Sequence, residues 1–342
     1  MTDVEGSAAE HTAKVAVARA GNEEAFGELF EQHRRELLVH CYRMLGSFSE
    51  AEDLLQETFE RAWRSIDRFE AGASPRPWLY KIATNACLDA LRRRGRRRFL
   101  PFDVMEPVGP GGPPPQGGDE LWLEPFPDRL LEDAAGDPGE AVVQRETIEL
   151  VFLAAIQHLP DLQRAVFLAR DVMGWSAKAT AALLGTSEAS VKSALQRARA
   201  TMKEHLPRRR DDWAGEAAVG DRERAVLRRY IDAHQDNDIE SMAEVLADDV
   251  RLAYPQIPLW SDSRDAFIQA TREFAPPGDY RFVATSANRQ PAVAIYHRPP
   301  GEPVFRLTAL EVLRIDGDRV TEIVDFDVPD LWSAFGLEPT LR

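Results

Sequence analysis

The chain has 342 residues, 44% of them hydrophobic, so we expect two or three globular domains and exclude wholesale disorder. No apolar run approaches the roughly 20 residues of a membrane span, and the N-terminal residues lack the apolar segment of a signal peptide. The net charge of −15 does not exclude nucleic-acid binding, because residues 148–210 carry +5 while residues 101–147 carry −9 and residues 211–342 carry −11.

The two cysteines, Cys41 and Cys87, lie in helical patterns. Their spacing predicts neither a disulfide framework nor a metal site. We therefore expect a cytoplasmic protein that needs no metal or other cofactor and no membrane.

The first hundred residues predict a helical bundle. From Asn22, apolar residues recur at steps of three and four up to Leu45-Gly46-Ser47, where glycine ends one helix and serine begins the next. The second helix, about Ser49 to Asp67, has one apolar face and one acidic face. The acidic face indicates either a solvated surface or a protein contact.

A third helix is predicted from Pro77 to Arg94, with proline suited to the first helical position. One face combines an aromatic ring with polar and basic groups and leads into an arginine tract, residues 92–98. Such a face is typical of a surface that follows phosphates and stacks a base. Core packing of Trp78 and a solubilising arginine tail are the alternatives.

The segments Glu50–Trp63 and Pro77–Asp89 together resemble region 2 of an extracytoplasmic-function (ECF) sigma factor of bacterial RNA polymerase. The resemblance implies that the acidic helix binds the clamp helices of the polymerase β′ subunit, through Asp53, Gln56, Glu57 and Trp63. It also implies that residues 67–76 capture an unstacked base of the −10 element. The residues implied to bind −10 DNA are Phe69, Trp78, Lys81, Asn85, Asp89, Arg92, Arg93 and Arg96.

Residues 101–147 are rich in proline, glycine and acids, which predicts a linker. One island, Leu121–Asp128, contains Trp122 and Phe126 and is either a docking contact on its own domain or part of a longer path. By the resemblance, a sigma-factor linker threads the polymerase active-site cleft, where acidity mimics nucleic acid. The island also resembles a feature of the actinobacterial sigma-G-like group.

Residues 148–207 predict more helices, ending in a helix–turn–helix with a turn at Gly185 and an N-cap at Ser187. The sequence of this segment resembles sigma region 4, which implies that the second helix of this motif reads the −35 element in the major groove. The residues implied are Ser187, Ser190, Lys192, Ser193, Gln196 and Arg197. One departure is Ala179–Thr180–Ala181, where the family usually has an acid, isoleucine and alanine.

The last segment, from about residue 215, changes character. Two helices, a strand and a further helix precede four strand patterns, the last two joined by the turn signal Asp316-Gly317-Asp318. This order predicts an α+β half-barrel and resembles the SnoaL-like members of the NTF2-like fold. Alternation suggests a ligand pocket lined by Tyr230, Tyr254, Trp260, Asn288, Tyr296, His297, Phe305 and Asp325.

Three roles stay open for this last domain. Asp325 and His297 are candidates for an acid/base pair, as in cyclases and isomerases of this fold. The alternatives are ligand sensing or docking, and scaffolding, because fold does not imply function. Its net charge of −11 also suggests that it shields the basic helices Pro77–Arg98 or Ser187–Met202.

The sequence thus predicts a multidomain chain with two all-α sigma domains, residues 1–100 and 148–207, then an α+β domain at 215–342. The predicted function is that of a non-enzymatic sigma factor, with the last domain regulating it in cis. The expected partners are core RNA polymerase, through its β′ and β subunits, and promoter DNA in duplex and single-stranded form. An anti-sigma partner stays undetermined, and the rivals are a helix–turn–helix regulator without polymerase and an enzyme with a regulatory front half.

Overall fold

The computed structural model describes residues 15–70, 73–108, 121–131, 148–206, 220–257 and 259–342. These residues form two compact units. The first unit contains the described residues up to 96 together with 155–206. The second contains 97–108, 121–131 and 148–154 together with everything described from 220 onward. Segments predicted as two sigma domains therefore contribute to one unit.

The front half of the chain is helical. Its helices are α1 (Glu23–Leu45), α2 (Phe48–Ser65), α3 (Pro75–Arg94), α4 (Pro101–Val104), α5 (Leu150–Gln157), α6 (Asp161–Phe167), α7 (Ala177–Leu184) and α8 (Glu188–His205). The predicted break after Leu45 is present: Gly46 ends α1 in the left-handed conformation, and the side chain of Ser47 accepts a hydrogen bond from the backbone of Glu50.

The core of the first unit forms where α1, α2 and α3 turn their apolar faces inward. Phe26 is fully buried and its ring lies 5.1 Å from that of Phe59 and 5.3 Å from that of Trp63. Such tilted aromatic pairs stabilise a core beyond the area they bury. The bundle therefore presents the remaining faces of α2 and α3 outward.

The second unit combines helices with one large sheet. Before residue 220 it contains a short parallel pair, β1 (Arg98–Phe99) and β2 (Leu121–Trp122). Its elements after residue 220 are α9 (Asp221–Gln235), α10 (Ile239–Val245), β3 (Leu246–Tyr254), β4 (Leu259–Ser261), α11 (Arg264–Phe274), β5 (Asp279–Ala287), β6 (Gln290–Arg298), β7 (Phe305–Asp316), β8 (Arg319–Phe326) and β9 (Thr340–Leu341). The predicted order of helical segments followed by an α+β domain is confirmed.

The sheet has the strand order β4-β3-β8-β7-β6-β5, and β9 also pairs with β7. Strands β5 to β8 form the predicted antiparallel meander, with the predicted hairpin turn between Asp316 and Arg319. Strand β3 joins β8 in parallel, a long-range pairing that strand patterns alone do not specify. Tyr230 of α9, Phe267 of α11 and Leu313 of β7 are among the buried residues of the core beneath the sheet.

Candidate polymerase- and nucleic-acid-binding surfaces

Helix α2 carries an exposed acidic face. Leu54 and Leu55 are buried, whereas Glu52, Asp53 and Gln56 are exposed on the opposite side. The helical period of 3.6 residues separates the two faces in this way. Asp53 and Gln56, predicted to bind polymerase, are therefore accessible to a partner protein.

The other two residues predicted to bind polymerase, Glu57 and Trp63, are less exposed. The carboxylate of Glu57 is half-buried and accepts a hydrogen bond of 2.6 Å from Arg61 one turn later. Trp63 is half-buried against Phe26. The accessible acidic surface is therefore centred on the first half of α2.

Helix α3 presents the predicted polar stripe. Lys81 and Asn85 are exposed and Trp78 is half-exposed, while Leu79 and Ala83 on the other face are fully buried. An aromatic ring, an ammonium group and an amide thus lie along one accessible helix face. This combination can stack a base and contact a phosphate.

Phe69 does not lie on this surface. Its side chain is 5% exposed, and its ring centre is 4.8 Å from that of Trp78. The apolar ring of Phe69 is buried, and its contact with Trp78 removes part of the Trp78 ring from water as well. Phe69 therefore packs against Trp78 and supports its ring.

The arginines of the tract differ in their exposure and in their contacts. Arg94 binds the carboxylate of Glu50 at 2.7 Å and therefore ties the end of α3 to the start of α2. Arg92 and Arg93 are exposed, and Arg92 pairs with Asp89 at 2.7 Å. An exposed ion pair contributes about 0–1 kcal/mol, so exchanging Asp89 for a phosphate costs Arg92 little.

Arg96 is exposed just beyond the glycine that ends α3, whereas Arg98 donates to the carbonyl of Trp122 at 2.7 Å. Asp89 is half-buried and also lies 3.6 Å from Arg61. Asp89 thus orients neighbouring arginines, while Arg92, Arg93 and Arg96 are among the exposed cations of the tract.

The predicted helix–turn–helix is present in α7 and α8. Gly185 adopts φ +61° at the turn, and the Ser187 side chain accepts a hydrogen bond of 3.1 Å from the backbone of Ser190. A left-handed turn of this kind favours glycine. The unusual Thr180 is buried, and its hydroxyl donates to the carbonyl of Ser176, so the departure from the family pattern leaves no unpaired hydroxyl.

Helix α8 buries and exposes the sides that the sequence predicts. Its buried residues are Val191, Ala194, Leu195, Ala198 and Met202. The predicted −35 residues Ser187, Lys192, Ser193, Gln196 and Arg197 are exposed, and Ser190 is half-buried. Arg199 forms a double hydrogen bond with Asp171 at 2.7 and 2.8 Å, which fixes α8 against the helical segment Leu168–Val172 before α7.

Within the first unit, the helix–turn–helix half packs on the α1–α3 bundle. Arg164 is fully buried and donates to the carbonyl of Met44 at the end of α1 and to Gln157. The ring of Trp175 lies 5.3 Å from that of Tyr80 on α3. No local sequence pattern predicts the contact of Arg164 with Met44, because the two residues are 120 positions apart.

In the second unit, three of the predicted pocket residues come together around an unpredicted glutamate. The hydroxyl of Tyr230 donates to Glu311 at 2.8 Å, and Asp325 is the direct cross-strand neighbour of Glu311. The parallel pairing of β3 with β8 places Tyr254 next to Asp325, one residue beyond the last paired residues of the two strands. The sequence signal for Glu311 is one acid inside the apolar run of β7.

This acid pair has unusual proton affinity. Burial, then the charge of Asp325, raises the pKa of Glu311 to about 8. Burial, then the charge of Asp327, raises the pKa of Asp325 to about 7. Burial likewise raises the pKa values of Tyr230 and Tyr254. Near neutral pH the pair holds at least one proton, and its protonated member can donate a hydrogen bond.

The structure separates the predicted acid/base pair. His297 is the cross-strand partner of Arg306, and Asp325 is the partner of Glu311, five residues further along β7. At about 3.3 Å per residue the two lie roughly 16 Å apart along the strand. The Nε2 atom of His297 instead lies 3.1 Å from the carbonyl of Pro277.

The other predicted pocket residues have other contacts. Tyr296 donates from its hydroxyl to the carbonyl of Glu338 at 3.0 Å. The ring of Phe305 lies beneath the guanidinium groups of Arg281 and Arg298, at 4.3 and 4.4 Å. Alternation predicts the face of a strand on which a residue lies, but not what covers that face.

Trp260 and Asn288 bind the linker. The indole of Trp260 donates to the carbonyl of Met105 at 2.9 Å, and its own carbonyl accepts from Val108 at 2.8 Å. Asn288 is fully buried in the β5–β6 turn, where it accepts from the backbone of Phe126 at 2.8 Å and donates to the carbonyl of Ile148 at 2.8 Å. Both residues are therefore docking residues in this structure.

The Leu121–Asp128 island is docked on its own domain, as one of its two interpretations predicts. Leu123 and Phe126 are almost fully buried, and the Phe126 carbonyl accepts from the backbone of Asn288 at 2.9 Å. The carboxylate of Asp128 accepts from the backbone of Arg289 at 2.7 Å. One backbone–backbone hydrogen bond and three hydrogen bonds between a side chain and the backbone thus join the island and Ile148 to one turn.

The described residues contain no cluster of three or more histidine, cysteine, aspartate or glutamate residues that could hold a metal ion. None of the helices in the described ranges is both long and apolar enough to cross a membrane.

Three family models match the chain. They are described as sigma-70 region 2, matching residues 29–97, sigma-70 region 4, matching 149–202, and a SnoaL-like domain, matching 227–323. All three matches agree with the resemblances inferred from the sequence. The C-terminal domain thus matches a family model of its own, separate from those of the two sigma regions.

The chain is also similar to individual sigma factors. The chain is 40% identical over 315 residues to the ECF RNA polymerase sigma factor SigG of Mycobacterium tuberculosis, covering 91% of this chain and 83% of SigG. It is 28% identical over 193 residues to SigW of Bacillus subtilis, covering 56% and 95%. The crystal structure of the M. tuberculosis ECF sigma factor SigJ matches in fold with a TM-score of 0.59 at 18% identity, covering 91% and 99%.

Proposed function

Since this chain belongs to the extracytoplasmic-function sigma factors of bacterial RNA polymerase, we propose how it divides promoter-directed initiation among its surfaces. The protein directs RNA polymerase to promoters, as its sigma regions 2 and 4 indicate. The observation that carries the division is that the first unit exposes an acidic helix face, an aromatic-basic helix face and a helix–turn–helix face.

The acidic face of α2 binds core polymerase. Asp53 and Gln56 are its accessible centre, Glu57 lies one turn further, and Trp63 stiffens the helix from its inner side. The partner surface is the clamp helices of the β′ subunit, and the β subunit completes the binding site for the whole protein. Because core polymerase works in the cytoplasm, this part of the proposal includes a cytoplasmic location.

The α3 face handles the melted −10 strand. Trp78 replaces the stacking partner that a base loses, and Lys81, Asn85 and the accessible arginines hold the backbone. Unstacking a base costs a few kcal/mol, and an aromatic stack returns about 1–3 kcal/mol per base. Phe69 takes part indirectly, because it supports Trp78.

Helix α8 reads the −35 duplex. Its exposed N-terminal half carries Lys192, Ser193, Gln196 and Arg197, which can reach base edges and phosphates in the major groove. The Ser187 cap leaves the start of the helix suited to a phosphate.

The SnoaL-like domain regulates initiation in cis through the linker. Its β5–β6 turn holds the Leu121–Asp128 island, and Trp260 holds residues 105 and 108. A linker held in this way is unavailable for the polymerase cleft. Release of the linker from the domain therefore accompanies productive engagement of polymerase.

A second candidate function for this domain is ligand binding. The observation that favours it is the cluster of Tyr230, Tyr254, Glu311 and Asp325, which has a proton to donate near neutral pH. Turnover of small ketone substrates that is lost in Asp325→Asn would show an enzyme. Absence of turnover together with ligand-induced stabilisation would show a sensor.

The test of the polymerase surface is the double substitution Asp53→Ala with Glu57→Ala. We expect core-polymerase affinity to fall about tenfold or more, while binding of the −35 duplex is unchanged, because the two surfaces lie on different helices. A matched control is Glu240→Ala with Glu244→Ala on α10, which removes two acids elsewhere. Normal core affinity in the α2 variant, measured by fluorescence anisotropy, would reject the assignment.

A further inference from the structure

A buried carboxylate lies beneath the start of α3. Glu36 of α1 is 8% exposed and accepts hydrogen bonds from Arg76 Nε at 2.7 Å and from the Tyr80 hydroxyl at 3.2 Å. His33 Nδ1 lies 2.7 Å from its other oxygen. Burial alone would raise the pKa of Glu36, but the hydrogen bonds from His33 and Arg76 outweigh it and hold the pKa below its usual value.

Arg76 is held from two sides. Its Nε atom binds Glu36, and its guanidinium carbon lies 5.4 Å from the centre of the Tyr80 ring. Burial would lower the pKa of Arg76, but the bond to Glu36 raises it overall, so the guanidinium keeps its charge. A charge-assisted hydrogen bond in a half-buried site is stronger than a neutral one.

The start of α3 has little other anchoring of its own. Ser74 stands at the N-cap, but its side chain makes no capping hydrogen bond. Pro75 and Pro77 have no backbone N–H to donate. A serine cap would ordinarily contribute about 1 kcal/mol to a helix start. The contact between Arg76 and Glu36 takes the place of that cap by tying the first turn of α3 to α1.

Trp78 lies two residues after Arg76 in this first turn, and Tyr80 follows it. Tyr80 also lies 5.0 Å from His40, whose Nε2 is 2.9 Å from the Thr84 hydroxyl, so the contact continues into a buried polar network. The orientation of the Trp78 ring therefore depends on where Glu36 holds the helix start.

We propose that Glu36 is a positioning residue for −10 recognition: it holds Arg76, and thereby orients the first turn of α3 so that Trp78 is ready for the unstacked base. This role rests on the proposed −10 function of α3. Preorganisation of this kind lowers the cost of ordering protein groups during promoter melting. Glu36 itself touches no DNA, because it is buried behind Arg76.

The test compares Glu36→Gln with Glu31→Gln in the full-length protein bound to core polymerase. Glu31 lies on the same helix, is 66% exposed and pairs with Arg34 at 3.6 Å. Melting is followed by the fluorescence of 2-aminopurine in the −10 element, with core affinity and thermal unfolding measured alongside. We expect Glu36→Gln to lower the melting equilibrium about tenfold with unchanged core affinity, and Glu31→Gln to change neither.

Two further variants separate positioning from general destabilisation. In a Trp78→Ala background, Glu36→Gln should cause no additional loss of melting, because it acts through Trp78. Arg76→Lys, which keeps the charge but loses the Nε contact, should repeat the defect even where Glu36→Gln folds poorly. Additive losses, or equal losses of core binding and melting, would overturn the positioning role.

The same experiment separates this inference from the proposed function. If Trp78→Ala alone leaves melting unchanged, the −10 assignment of α3 fails, and the role of Glu36 fails with it. If Trp78→Ala impairs melting while Glu36→Gln and Arg76→Lys do not, only the positioning role fails.

Discussion

Asn288 shows how one side chain can join two distant segments. It lies at φ +57° in a two-residue turn, a conformation that Asn tolerates better than most residues, and it is fully buried. Its amide pairs with the backbone of both Phe126 and Ile148. Unpaired buried backbone groups cost about 1–3 kcal/mol each, so this single amide accounts for much of the linker docking.

We predict that Asn288→Gly releases the linker. The left-handed backbone stays allowed, but the Phe126 amide loses its acceptor, so its hydrogen exchange should accelerate about tenfold or more. Asn237, which is exposed at φ +51°, provides the matched control: Asn237→Gly makes the same backbone change without a linker contact. Unchanged exchange at Phe126 would show that the docking does not depend on this amide.

Glu311 and Asp325 give the stability of the protein a pH dependence. Their folded pKa values, about 8 and about 7, lie above the usual 4.5 and 3.8, so the folded state binds more protons than the unfolded state between these limits. The contribution of these two groups to stability must therefore fall as pH rises from about 4 towards 8.

We predict that Glu311→Gln flattens this dependence, because the amide needs no proton and can still accept from Tyr230. The Tm of the native protein should fall by on the order of 5 °C between pH 5 and pH 8 through these groups, and by less in the variant. Glu302→Gln, an exposed acid in the β6–β7 turn, should leave the fall unchanged. Parallel Tm profiles for Glu311→Gln and the native protein would contradict the assigned pKa values.

Among single residues, the sequence predicted the exposed polar groups of α3 and α8 better than the buried ones. Lys81, Gln196 and Arg197 are exposed as expected, because helical period alone assigns a face. Trp260 and Asn288 contact residues 155 and 162 positions away, and no local pattern predicts such contacts. Phe69 follows the end of a helix, so helical period does not predict its contact with Trp78. Glu36 was missed because Arg76 lies 40 positions away, whereas Glu311, an acid within an apolar run, was a visible signal.

Among the elements, we propose that α8 separates contacts with the DNA backbone from the reading of base edges. Lys192 is a compact cation suited to a phosphate, whereas the Gln196 amide can pair with an adenine edge. The buried side of the same helix fixes both in register.

We predict different effects for the two residues. Lys192→Ala should weaken −35 binding by the holoenzyme on all sequences and reduce the salt slope by about 1, while Gln196→Ala should cost about 1–3 kcal/mol only on the preferred sequence. Lys203→Ala, in the last turn of α8, is the control for loss of one charge. Identical salt slopes for Lys192→Ala and the native protein would remove Lys192 from the DNA surface.

Elements with a strong local signal could be predicted, and long-range pairings could not. The bounds of β8, Arg319–Phe326, agree with the alternation. Gly185 marks the end of α7, and Ser187 marks the start of α8. The short strands β4 and β9 were missed because three or two residues carry no period. The parallel pairing of β3 with β8 joins residues about seventy positions apart, and no local pattern specifies it.

On the scale of the whole molecule, both DNA-binding halves belong to one compact unit. The buried Arg164 and the contact between Trp175 and Tyr80 hold the helix–turn–helix half against the bundle. We infer that core polymerase, by binding α2, helps these halves to take up the separate positions of the −35 and −10 elements. Shielding of the basic helices by the acidic domain stays a prediction, tested by deleting residues from about 215 onward.

We conclude that this protein acts with core polymerase and not as a free DNA-binding regulator. Single-round transcription with purified core polymerase and the full-length protein, on templates selected for −35 and −10 elements, tests this conclusion. We expect specific transcripts that require both proteins and both elements, and weak duplex binding by the protein alone. Tight sequence-specific binding without polymerase, together with no specific transcript in its presence, would contradict it.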